Sequence, residues 1–116
     1  MANLKGTRRI LKALGEDTRL RIIALLRKNR LNVAQLCEIL NSTQSNISKH
    51  LARLRLTGIV SDRREGQFIY YHLARPEDPF YEDLLDCIVN GLSESEIYKK
   101  DTERLKQLEG RYKAKS

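Results

Sequence analysis

Two stretches of helical hydrophobic periodicity flank a break of only three residues, Asn41-Ser42-Thr43, and no other feature of the chain restricts its fold as strongly. Upstream, Val33, Leu36, Cys37 and Leu40 recur at i, i+3, i+4 and i+7, so the segment predicts a short helix with one apolar face. Asn32-Val33-Ala34-Gln35 opens it as a capping box. Downstream, Thr43 supplies a new cap, and Ile47, Leu51 and Leu54 line one face of a helix that ends at Gly58. Two helices joined by so short a break read as a helix-turn-helix.

The rest of the chain builds around that pair. Leu4, Ile10, Leu11 and Leu14 fit a first helix stopped at Gly15, which suits a left-handed cap. Asp17 or Thr18 caps a second helix through Leu20 to Leu26, apolar nearly all round and therefore expected to be central. Ile59–Arg64 and Gln67–Leu73 alternate like strands about Glu65-Gly66, placing Phe68, Tyr70 and His72 on one face and Ile69, Tyr71 and Leu73 on the other. Pro76 and Pro79 close this hairpin. A fifth helix follows, with Phe80, Leu84, Ile88 and Leu92 as its stripe, Tyr81 and Leu85 beside them, and Gly91 at its end. Ser93-Glu94-Ser95-Glu96 is a second capping-box pattern, opening a polar helix whose thin stripe of Ile97, Tyr98, Leu105, Leu108 and Tyr112 points to docking on another surface. The fold expected is mainly α with a small β-hairpin, a winged helix-turn-helix.

Charge is segregated along the 116 residues, which carry 22 Lys and Arg against 15 Asp and Glu. Residues 1–30 have a net charge of +7 and residues 42–75 of +4, whereas residues 76–92 hold five acids and no base. Basic regions of this kind suit a polyanion, since each phosphate neutralised releases condensed counterion, although a solvated basic surface gives the same count. The apolar runs are far shorter than the roughly 20 residues that span a bilayer. The first residues lack the apolar core of a secretory signal, so no membrane partner and a cytoplasmic location are expected.

On the helix after the break, the face opposite Ile47, Leu51 and Leu54 begins with Gln44, Ser45, Ser48 and Lys49. An amide pairs bidentately with adenine, hydroxyls donate or accept, and Lys reaches guanine or phosphate; the amino end of such a helix is the part that enters the major groove. The same groups also serve as cap chemistry at a solvated helix start. The hairpin decides between the two readings, because Arg63 and Arg64 before its turn and Gln67 after it are placed to follow a phosphate backbone or enter a minor groove as a wing.

These residues also carry a resemblance. Leu14-Gly15-Glu16-Asp17-Thr18-Arg19-Leu20-Arg21-Ile22-Ile23, Gln44 to Arg55, Gly58-Ile59-Val60 and Tyr70-Tyr71-His72-Leu73 stand in order over residues 10–73. In these motifs the chain resembles the arsenic-repressor-like (ArsR) family of winged-helix regulators. The resemblance implies a homodimer held by its first and last helices, with Gln44, Ser45, Ser48 and Lys49 as groove readers. It further implies a repressor of transcription on a double-stranded DNA operator, released by a small effector whose chemistry the family leaves open. Residues 1–92 are then the DNA-binding and dimerisation domain and 93–116 a helical extension. A winged-helix protein-interaction module without operator specificity is the alternative.

The effector chemistry departs from the family's better-known members. Their thiol box, Leu-Cys-Val-Cys-Asp-Leu, corresponds here to Leu31-Asn32-Val33-Ala34-Gln35-Leu36, with neither cysteine. Their zinc sites use Asp and His pairs on the last helix, but no histidine follows His72, and Glu82, Asp83 and Asp86 alone read as a solvated acidic face. No metal or cofactor is expected. Cys37 fits its stripe as a small core residue, while Cys87, off the centre of the fifth helix's apolar face, is the better candidate for a reactive thiol. These two are the only candidate thiol sensors. His50 reads as a partly buried histidine bonded to nearby backbone. No nucleophile elbow, phosphate-binding loop or carboxylate pair accompanies them, so no enzyme is expected.

Overall fold

The computed structural model describes residues 2–115, with side chains as far as Arg111. Its elements run α1 (Leu4–Leu14), α2 (Asp17–Leu26), α3 (Val33–Leu40), α4 (Gln44–Leu56), β1 (Val60–Glu65), β2 (Phe68–Leu73), α5 (Pro79–Leu92) and α6 (Glu96–Lys115). Ile22, Ile23, Leu25 and Leu26 of α2 are all buried, and α1, α3, α4, α5 and α6 pack about this helix. Its nearly continuous apolar surface requires neighbours on every side, which the surrounding helices supply.

The helix-turn-helix forms as its local chemistry dictates. Asn32 accepts the Gln35 amide at 2.8 Å while the Gln35 side chain accepts the Asn32 amide at 2.9 Å, the complete capping box. Asn41 ends α3 in the left-handed region, φ 52°, which Asn tolerates better than most residues. Thr43 then caps α4, its hydroxyl accepting from the Asn46 amide at 3.2 Å. Ile47, Leu51 and Leu54 turn inward and leave the opposite face of α4 free.

Several boundaries and faces differ from expectation. Glu16, not Asp17 or Thr18, caps α2 by accepting from the Arg19 amide. Gly15 has φ −81° rather than a left-handed value, because its amide closes back on the Lys12 carbonyl in a tighter final turn. Leu4 and Leu11 are exposed, and α1 buries Ile10, Ala13 and Leu14 instead. In α5 the buried line is Leu85 and Val89; Leu84 and Ile88 are half-buried and Phe80 is exposed, and the helix continues through Gly91 to Leu92. Ser93 donates to the Asn90 carbonyl, so the second capping box does not form, and Ser95 accepts the Tyr98 amide in its place.

Strands β1 and β2 pair antiparallel with Arg63 opposite Tyr70 and Glu65 opposite Phe68, leaving Gly66-Gln67 as a two-residue turn. Gly66 has φ +60° at the first turn position, the place a type II′ hairpin gives to glycine. Two backbone hydrogen bonds between Leu31 and Tyr71 tie the hairpin to the body. Helix α6 lies on α2 and α3, where Leu105 and Leu108 are buried, Arg104 donates to the Ile39 carbonyl at 3.0 Å and Arg111 pairs with Glu38. The Tyr112 side chain falls outside the described residues. No described helix is long and apolar enough to cross a membrane.

Candidate nucleic-acid interface

The first turns of α4 present Gln44, Ser45, Ser48 and Lys49 to solvent together. Asn41, Ser42, Thr43, Ser45, Asn46 and Lys49 line a shallow open depression at this helix end. Gln44 and Ser48 make no side-chain hydrogen bond within the described residues, and Lys49 makes no ion pair. Capping is carried by Thr43 at the helix start, while the Ser42 hydroxyl accepts from the Asn46 side-chain Nδ2 at 2.8 Å. Ser45 has only a long 3.5 Å contact with the Thr43 hydroxyl, so the four predicted groove readers are all exposed to an outside partner.

The hairpin brings a second set. Arg63, Arg64 and Gln67 are exposed at or near its tip, with only a long 3.5 Å contact from Arg64 Nε to the Gly66 carbonyl. Beside the Leu31–Tyr71 backbone bonds, a residue that the sequence reading did not single out joins the hairpin to the body. Arg30, just after α2, donates to both carboxylate oxygens of Glu65 at 2.5 and 2.7 Å, and its guanidinium carbon lies 4.9 Å from the centre of the Tyr70 ring. This hydrogen-bonded guanidinium holds the Glu65 carboxyl below its ordinary range.

A further unpredicted cluster joins α4 to the helices behind it. His50 is 7% exposed, and its Nδ1 lies 3.1 Å from Arg19 Nη1 and 3.7 Å from Glu16 Oε2. It thus meets side chains rather than the backbone expected of it. Burial pushes the His50 pKa down; Glu16 opposes it less strongly than burial, and the Arg19 and Lys49 charges add smaller downward contributions. Arg19 Nε also donates to the Ala13 carbonyl, so one guanidinium links the end of α1, the start of α2 and the buried side of α4.

Neither thiol has a histidine or carboxylate cluster around it: among the described residues no group of three or more His, Cys, Asp or Glu converges. Cys37 is half-buried and its thiol is pushed up by burial, whereas Cys87 is exposed. Glu82 and Asp86 do not face a common point but pair with Arg75 at 3.1 Å and Arg27 at 3.0 Å.

Comparison with known proteins gives the same picture. The family model described as "Bacterial regulatory protein, arsR family" matches residues 16–62, from the α2 cap to β1. The arsenic resistance transcriptional regulator ArsR1 of Pseudomonas putida is 44% identical over 77 residues, which are 66% of this chain and 59% of that protein. ArsR2 of the same organism is 36% identical over 104 residues, 88% of each chain. Among solved structures, the homodimeric winged helix-turn-helix DNA-binding domain Mb0332 of Mycobacterium bovis superposes with a TM-score of 0.63 at 27% identity, covering 82% of this chain and 94% of that one.

Proposed function

Since the chain belongs to the ArsR family of bacterial transcriptional regulators, we propose that it is a homodimeric repressor that binds a short palindromic operator in the cytoplasm and is released by a small effector. Gln44, Ser45 and Ser48 read base edges in the major groove, with Lys49 on guanine or phosphate, while Arg63, Arg64 and Gln67 follow the adjacent backbone. Residues 1–92 carry DNA binding and dimerisation, and α6 is the extension. The observation that carries this reading is the pairing of an uncommitted polar helix start with a basic hairpin held in place by Arg30. Basic charge alone would give non-specific binding, and the groove-facing amide and hydroxyls are what add discrimination.

The test is titration of the full chain, at physiological salt, with duplexes selected from a randomised pool and with scrambled duplex. An operator bound at least 10³-fold more tightly than scrambled DNA is expected. Equal affinity for both would replace the repressor by an interaction module lacking operator specificity.

A further inference from the structure

Between α2, the end of α5 and the start of α6 lies a pocket of about 340 Å³, at the lower end of the range that small-molecule sites occupy. Its walls are apolar, formed by Leu20 and Ala24 of α2, Leu92 of α5, and Ile97 and the Tyr98 ring of α6. Its polar lining includes Asp17, Arg21 and Asp101. Arg21 spends Nε and Nη2 on the two oxygens of Asp101, at 3.0 and 2.9 Å, and Asp101 is 1% exposed. The pair is thus internally satisfied.

Two groups in the pocket are not. Asp17 takes no hydrogen bond or ion pair from any described residue and interacts with Arg21 only through its field. The Tyr98 hydroxyl likewise has no partner in the described chain. Two carboxylates and one guanidinium leave the lining with an excess of negative charge. An anionic ligand would meet a guanidinium already engaged by one carboxylate, with a second carboxylate nearby. An ammonium would find Asp17 unpaired in a lining that also holds the Tyr98 ring, with no second cation to repel it but the engaged Arg21.

We propose that this pocket binds a small organic cation with an apolar body about the size of one aromatic ring, its ammonium against Asp17. The proposal deepens the effector reading above and rests on it only for the consequence at the operator. The ligand would bridge α2 and α6, and α2 packs in turn against α4.

The probes are 2-phenylethylammonium, its neutral analogue 2-phenylethanol and the anionic phenylacetate, titrated into the DNA-free full chain while amide resonances are followed. The ammonium should bind once per chain, shift Ala24, Ser95 and Tyr98, and bind about tenfold more tightly than the alcohol, with phenylacetate weakest; that ratio corresponds to about 1.4 kcal/mol. Asp17→Asn should remove the advantage of the ammonium over the alcohol; Asp17 is exposed in the first turn of α2, so its loss leaves the fold intact. Phenylacetate binding as tightly as the ammonium, an unchanged ammonium affinity in Asp17→Asn, or shifts confined to other surfaces would each overturn the proposal. Failure of the ligand-free chain to recognise any operator would instead count against the regulator reading and leave the pocket result standing.

Discussion

Gln44 and Arg64 are both exposed and polar, yet their positions predict opposite signatures on DNA. Gln44→Ala or Ser45→Ala should cost roughly 1–3 kcal/mol on operator and little on random duplex, narrowing the specificity ratio. Arg64→Ala should weaken all sequences alike and lower the salt slope by about one unit; a matching loss of specificity at both sites would refute this division. His50 gives a pH prediction. Its folded pKa is depressed, so its contribution to stability is complete above the ordinary value of 6.5 and is lost as pH falls below it toward the folded pKa. Denaturant midpoints should therefore fall over that acid range, and more gently in His50→Gln. Zinc and arsenite should not release operator through the family's usual sites, because Asn32 and Ala34 occupy the thiol positions and no histidine follows His72 to serve a zinc site on the last helices; zinc release persisting in both Cys37→Ser and Cys87→Ser would contradict this. The exposed polar start of α4 was legible in the sequence because it adjoins a cap that periodicity locates. Arg19 with His50, and Arg30 with Glu65, were not, because the partners stand 31 and 35 residues apart and only folding brings them together.

Whole elements were legible where a signal is local and double. The Asn32–Gln35 box, the Asn41-Ser42-Thr43 break and the Thr43 cap each combine a residue type with a spacing, and α3 begins and ends, and α4 begins, where these place them. The face of a helix is less local information. Leu11 belongs to the apolar set of α1 but points away from the core, because which side of a helix is covered depends on neighbours elsewhere in the chain. For α6 the thin stripe was visible, but its landing place on α2 and α3 was not, nor was the burial of Asp101 within it. Asp101→Ala would leave the partly buried Arg21 without its carboxylate and should destabilise the chain by about 3 kcal/mol, with faster hydrogen exchange along α6. Unchanged exchange in that variant would show that Leu105 and Leu108 hold the helix alone.

At the scale of the molecule, α1 and α5 leave Leu4, Leu11 and Phe80 exposed and Leu84 and Ile88 half-buried, an apolar set that the proposed second copy would cover. Sedimentation should give twice the chain mass of 13.5 kDa, and operator half-sites should lie roughly 34–36 Å apart, one turn of duplex. Leu11→Glu should yield a folded monomer that has lost operator affinity, since the side chain is 50% exposed in the single chain; a tight-binding monomer would remove the dimer. The docking of α6 also bears on how the protein is made. Helix α2 emerges early in synthesis, but the carboxylate that meets Arg21 is translated 80 residues later, and Leu105 and Leu108 later still. At roughly 5–20 residues per second the nascent chain carries part of its central, most buried helix uncovered for about 4–16 s. Ribosome-associated chaperones that hold exposed apolar segments should therefore engage this chain after α2 appears and let go only when α6 has cleared the exit tunnel.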